Sequence, residues 1–138
     1  MRLFIAIKIP NNVIQEVTGL QNQLIKNAGD NDIKWVEPSN FHLTVKFLGK
    51  TDPVKLNEIK DRIRRVVLNR HSSFQLQIEN VGVFPNMHAA KVIWAGVEGD
   101  LEAFKRIHLD VENEMQLAGY PKEKRKFSSH LTLGRVRD

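Results

Sequence analysis

Two copies of a histidine-x-threonine pattern are the residues of this chain best suited to chemistry. His42-Leu43-Thr44 and His130-Leu131-Thr132 are each embedded in apolar and β-branched residues, which is typical of a strand. Because alternate residues of a strand point to one face, each histidine shares a face with its threonine. Two imidazoles that titrate near neutrality can supply the base and the acid of a phosphodiester hydrolysis, and two hydroxyls can hold the phosphate oxygens.

One such pattern alone is weak evidence, since threonine favours strands and a lone histidine is more often a surface or core residue. The second copy strengthens the interpretation because each histidine follows an apolar strand and a helix. Ala6 lies 36 residues before His42, and Ala95 lies 35 residues before His130. We therefore predict two pseudo-repeats, approximately 1–50 and 90–138, within one domain that covers residues 1–138.

The hydrophobic pattern predicts the elements that position these motifs. Strands are expected near 3–7, 33–36, 41–48, 74–83, 91–97 and 129–136, and helices after Pro10, after Pro53 and from Leu101 to Met115. In the strand at 41–48, strict alternation directs Phe41, Leu43, Val45 and Phe47 to the core, opposite His42 and Thr44.

Composition narrows the class of protein. The chain has 138 residues, 41% of them hydrophobic, a formal net charge of +5 and a pI near 9.6, which favours polyanionic partners. The absence of cysteine excludes disulfides, a thiolate nucleophile and a cysteine-ligated metal. No signal peptide or membrane span is evident in the sequence, so we expect a soluble, cytoplasmic protein without membrane association.

The chain resembles the two-histidine phosphoesterases, most closely the RNA 2′,3′-cyclic phosphodiesterases once called 2′-5′ RNA ligases. The resemblance is carried by Met1 to Ile7, Phe41 to Gly49, Gly82-Val83-Phe84-Pro85-Asn86, Val92 to Gly96 and Ser129 to Arg135. It implies an α+β, bilobal fold, with duplicated antiparallel sheets and outer helices around a central cleft. It also implies hydrolysis of the 2′,3′-cyclic phosphate at RNA 3′ ends, tRNA fragments among them, to a 2′-phosphomonoester, without metal or cofactor.

The resemblance assigns His42 as general acid and His130 as general base, although the sequence leaves open which imidazole carries the proton. Rival functions are 2′-5′ RNA ligation, hydrolysis of another small cyclic phosphate, a histidine-metal hydrolase, and an inactive RNA-binding module of the same fold. Relatives usually continue beyond the second motif, so we expect that C-terminal strands are lacking. The sequence leaves the oligomeric state open.

Further residues are predicted to contact the substrate. Thr44 and Thr132 are expected to bind phosphate, as is Lys46, which shares the face of His42 by alternation. Arg135 resembles the family's phosphate-binding arginine, but alternation places it opposite His130 unless a bulge or twist at Gly134 reorients it. Possible RNA contacts are the basic cluster and one aromatic platform, namely Lys122, Lys124, Arg125, Lys126 and Phe84.

Overall fold

The structure is a computed structural model that describes residues 1–28, 32–84, 91–124, 127 and 129–137. Its strands are β1 (Arg2–Lys8), β2 (Ile33–Trp35), β3 (His42–Lys50), β4 (Leu76–Phe84), β5 (Val92–Gly99) and β6 (His130–Val136). Its helices are α1 (Asn11–Ala28), α2 (Leu56–Arg70) and α3 (Leu101–Leu117), with short 3₁₀ turns at Pro38–Asn40 and Pro53–Lys55. The predicted elements and the α+β class are confirmed.

The strands form two antiparallel sheets. β1 pairs with β3 in a two-stranded sheet, and the other sheet has the order β2-β6-β5-β4. β6 lies between β2 and β5 and runs antiparallel to both. The second motif pairs with β5, and the residues of β6 that follow it, from Gly134 to Val136, pair with both β5 and β2.

The chain divides into two compact units, each assembled from three separate segments. The first unit comprises Met1–Ile7, Thr44–Leu76 and Glu98–Ser128, and the second comprises Lys8–Leu43, Gln77–Val97 and Ser129–Asp138. Each unit thus draws residues from both predicted repeats. The prediction of one domain with two pseudo-repeats stays a prediction.

The core of the first unit lies between α2 and α3. Val66 of α2 and Phe104, Val111 and Met115 of α3 are buried. The apolar spacing of three or four residues that predicted these helices places these side chains on their inner faces. Before α2, the Asp52 carboxylate accepts a hydrogen bond from the Val54 amide at 3.1 Å, which caps the 3₁₀ turn.

The core of the second unit contains alternate residues of its sheet and one face of α1. Leu131 and Leu133 of β6, Ala95 of β5 and Val17 of α1 are buried. Alternation along β6 leaves His130 and Thr132 half-buried on the other face.

The prediction that Phe47 points to the core is wrong. Its side chain is 61% exposed, and its ring packs against Phe4 of β1 with centroids 6.2 Å apart. The alternation of burial along β3 breaks at Lys46, which is itself buried because its ammonium group has an acidic partner inside the unit. In the described ranges, no helix combines the length and the apolar character that crossing a bilayer requires.

Candidate active site

β6 displays a histidine, a threonine and an arginine on one face of the four-stranded sheet. The residues directly opposite on β5 are Gly96 for His130, Trp94 for Thr132 and Val92 for Arg135. Opposed residues of an antiparallel pair project to the same side, and alternate residues of β5 share one face. His130, Thr132 and Arg135 therefore point to the same side of the sheet.

This arrangement depends on a β-bulge. The register between β5 and β6 shifts between Ile93, which faces Gly134, and Trp94, which faces Thr132, so Leu133 is an extra residue on β6. Without it, Arg135 would point to the opposite face. Under strict alternation, Arg135 can share a face with His130 only if β6 contains such a bulge, and the structure contains one.

A buried glutamine on α1 stabilises the bulge. Gln21 is 3% exposed, and its side-chain amide donates to the carbonyl of Leu133 at 3.0 Å and to that of Val36 at 2.8 Å. The Val36 amide donates to the same Leu133 carbonyl at 2.8 Å. The extra residue thus has hydrogen-bond partners that replace those of a regular ladder. Gln21 is not among the residues that the sequence selected.

Aromatic side chains surround the His130 imidazole. The ring centroid of Trp94 lies 4.2 Å from that of His130, and Phe84 meets the imidazole edge-on at 5.1 Å. Gly82 of β4 makes room for the indole, since a Cβ at this position would lie 2.2 Å from Trp94. Phe84, predicted as a possible base platform, is 42% exposed and contacts the candidate catalytic histidine directly.

The first motif begins β3. His42 and Thr44 are half-buried alternate residues of this strand. His42 belongs to the second unit, as do His130, Thr132 and Arg135, whereas Thr44 belongs to the first unit. The second unit therefore contains both histidines that are predicted to be catalytic.

Lys46 has a different environment from the one predicted. Its Nζ lies 2.6 Å from a Glu112 carboxylate oxygen and donates to the Pro121 carbonyl at 2.9 Å. Both side chains of the ion pair are almost fully buried. Glu112 on α3 therefore neutralises the ammonium group that alternation assigned to phosphate, and the phosphate role of Lys46 stays a prediction.

Glu112 has a lowered pKa. Burial alone would raise the pKa of this carboxyl, but the Lys46 ammonium, the Glu123 amide that donates to it at 2.7 Å, and the charge of His108 together lower it. The carboxylate thus stays ionised and holds Lys46 and the segment at Glu123 together.

The predicted basic cluster lies partly in this segment of the first unit. Lys122 and Lys124 are exposed on either side of Glu123, whose backbone is fixed by Glu112. Arg125 and Lys126 lie outside the described residues. The RNA contacts predicted for this cluster stay predictions.

A metal site would require several ligating side chains close together. Among the described residues, histidine, aspartate and glutamate side chains form no group of three or more that could hold a metal ion. The rival hypothesis of a histidine-metal hydrolase is tested by metal chelation.

Comparison with known proteins identifies the family. Residues 7–94 match the model of the LigT-like phosphoesterases, a stretch that includes His42 and Thr44 and ends at Trp94. The chain is 39% identical to the RNA 2′,3′-cyclic phosphodiesterase of Methanocaldococcus jannaschii, over 99% of this chain and 72% of that protein. The chain belongs to the LigT-like phosphoesterase family. The predicted resemblance is therefore confirmed.

Solved structures support the same fold. The crystal structure of TT0787 of Thermus thermophilus is similar with a TM-score of 0.82 and 25% identity, over 100% of this chain and 75% of that one. The crystal structure of Escherichia coli LigT complexed with 3′-AMP gives a TM-score of 0.78 at 20% identity, over 99% and 74%. The α+β arrangement of this LigT-like chain is thus the fold of known phosphoesterases.

Proposed function

We propose that this LigT-like phosphoesterase hydrolyses the 2′,3′-cyclic phosphate at RNA 3′ ends to a 2′-phosphomonoester. The proposal extends to tRNA fragments with such ends and to action in the cytoplasm. The observation that carries it is the face of β6, where His130, Thr132 and Arg135 project together from a strand held on both sides. The relative from M. jannaschii, named RNA 2′,3′-cyclic phosphodiesterase, supports the choice of substrate.

The reaction needs one base and one acid. His130 accepts a proton from water, and the oxygen of that water attacks phosphorus as the bond from phosphorus to the 3′-oxygen breaks. His42 donates a proton to the departing 3′-oxygen, which leaves a 3′-hydroxyl and a 2′-phosphate. At the end of the cycle His130 is protonated and His42 is neutral, and proton exchange with solvent restores both.

The neighbours of His130 suit this task. The hydroxyl of Thr132 can donate a hydrogen bond to a non-bridging oxygen as negative charge shifts on the phosphate, and the guanidinium of Arg135, farther along the same face, can bind a phosphate of the RNA. The indole of Trp94 and the ring of Phe84 restrict the imidazole of His130 to few orientations. Thr44 belongs to the other unit, and its predicted phosphate contact rests on the sequence.

The test uses a short RNA that ends in a 2′,3′-cyclic phosphate, incubated with the protein in the presence of EDTA. Conversion to a 2′-phosphate is expected. His42→Ala and His130→Ala should each lower the rate by about 10²- to 10⁴-fold, the usual contribution of one general acid or base. The matched control is His71→Ala, since His71 pairs with Asp110 at 2.7 Å in the first unit and has no part in the proposed chemistry.

Three of the rival functions predict a different result in this experiment. Loss of turnover with EDTA would support a metal hydrolase, and joining of RNA ends without hydrolysis would support a ligase. Binding of the RNA without any product, by wild-type protein that is folded by circular dichroism, would refute the hydrolase and favour a binding module. Equal activity of His130→Ala and His71→Ala would remove His130 from the mechanism.

A further inference from the structure

We propose that Lys34 and Arg135 form a cationic pair that binds a backbone phosphodiester of the RNA, on the 5′ side of the terminal cyclic phosphate. The proposal rests on the proposed function, because it extends the site of that reaction. Lys34 is a residue of the short strand β2 that the sequence patterns did not single out. The name cationic pair is used below for Lys34 and Arg135 only.

The strand register places Lys34 on the face of the four-stranded sheet that carries His130, Thr132 and Arg135. Lys34 lies directly opposite Arg135 in the antiparallel ladder of β2 and β6. Because opposed residues share a side of the sheet, Lys34 projects with Arg135, and hence with Thr132 and His130. All four residues belong to the second unit.

The cationic pair has no acidic partner within the described part of the chain. Both side chains are exposed, and the ion pairs found there include neither of them. Asp32, two residues before Lys34, is 3.4 Å from Arg137 instead. Like charges directly opposite each other destabilise a sheet. A bound anion between them would turn this repulsion into attraction.

The distance from His130 indicates which phosphate the cationic pair can serve. The β5 residues opposite His130 and Arg135 are Gly96 and Val92, four residues apart, which corresponds to about 13 Å at the usual rise of a strand. Lys34 lies a further ~5 Å to the side, the spacing of neighbouring strands. A phosphate in contact with His130 is therefore too far away to contact Lys34 as well. The cationic pair would bind another phosphate of the RNA, and every other phosphate lies on the 5′ side because the cyclic phosphate is the 3′ end.

The test compares two substrates of different length. One is a nucleoside 2′,3′-cyclic monophosphate, which has no 5′ phosphodiester, and the other is a short RNA with the same terminal nucleoside. Lys34→Gln is expected to lower kcat/KM for the RNA about tenfold, which corresponds to loss of one charge-assisted hydrogen bond, and to leave the mononucleotide unchanged. Lys26→Gln, an exposed lysine at the end of α1, is the matched control because it removes the same charge from the same unit.

Salt dependence gives a second readout. For the RNA, the slope of log kcat/KM against log salt should decrease by about 0.7 in Lys34→Gln relative to Lys26→Gln, as expected for one lost contact with a single strand. Equal kinetics of the two variants on both substrates would refute the subsite. Equal losses on both substrates would place Lys34 at the reacting phosphate and also refute it. If wild-type protein turns over neither substrate, the proposed function itself fails.

Discussion

The two histidine-x-threonine motifs are nearly identical in sequence, yet the cation that follows each has a different environment. After the first motif, Lys46 is 3% exposed and is paired with Glu112. After the second, Arg135 is exposed and lies on the face of His130 and Thr132. Strict alternation alone would give the reverse, with Lys46 available to phosphate and Arg135 directed away, and the phosphate role predicted for Arg135 required a bulge or twist at Gly134.

Each of these two environments is produced by neighbouring residues in the folded protein. A glutamate on the inner face of α3 binds Lys46, whereas Arg135 is reoriented by the extra residue Leu133, whose carbonyl is bound by Gln21. A repeated motif therefore predicts a repeated strand, but it does not predict the chemistry of the residues just beyond it. We infer that Lys46 stabilises the first unit and that Arg135 acts on the substrate.

The largest expected effect concerns the stability role of Lys46. Glu112→Ala should lower the free energy of unfolding by about 3–5 kcal/mol, because it leaves the Lys46 ammonium buried without a counter-charge. Urea denaturation measures the change. Glu114→Ala is the control on the same helix, since Glu114 pairs with the less deeply buried Arg62 at 3.1 Å and its loss should cost at most about 1 kcal/mol.

A double variant sharpens this test. Lys46→Met combined with Glu112→Leu replaces the ion pair by apolar side chains, and its stability should recover most of what Glu112→Ala loses. A Glu112→Ala protein as stable as Glu114→Ala would contradict the structural role of Lys46.

The next effect concerns Arg135 and appears in activity. Arg135→Gln should lower kcat/KM on RNA with a cyclic phosphate by about 10- to 100-fold, the equivalent of ~1.5–3 kcal/mol for a hydrogen bond to a charged group. Its free energy of unfolding should stay within about 0.5 kcal/mol of wild type, because the side chain is exposed. A variant with full activity and reduced stability would show that Arg135 has the role assigned to Lys46.

The sequence predicted the elements well because their signals are periodic. The spacing of apolar residues identified α1, α2 and α3, and the β-branched runs identified the strands. The second motif was also placed correctly, on a strand with its histidine and threonine away from the core. These features depend on neighbours along the chain, which the sequence shows directly.

The parts that were missed depend on partners distant in the sequence. Gln21 and Glu112 lie among apolar positions of their helices, Gln21 four residues after Val17 and Glu112 three residues before Met115. A polar residue at such a position signals a buried partner. The sequence does not say which group is that partner. Lys34 could not be selected either, because its place beside Arg135 follows from the pairing register of β2 with β6.

The smallest expected effect is the pH dependence of the Lys46 ion pair. The pKa of Glu112 is lowered because Lys46, the Glu123 amide and His108 outweigh the opposing effect of burial. A carboxyl with a lower pKa in the folded protein stabilises the fold at pH values above its ordinary pKa of 4.5. That stabilisation is lost as the pH falls through the folded pKa.

Urea denaturation from about pH 7 to about pH 3 measures this loss, with Glu112→Gln as the variant that cannot ionise. The wild type should lose more stability below about pH 4.5 than Glu112→Gln does. The difference should be smaller than the cost of Glu112→Ala, because protonation removes the charge but keeps the side chain that accepts from the Glu123 amide. Parallel curves for the two proteins would mean that the charge on Glu112 does not stabilise the fold, and Lys46 would again be a candidate for binding phosphate.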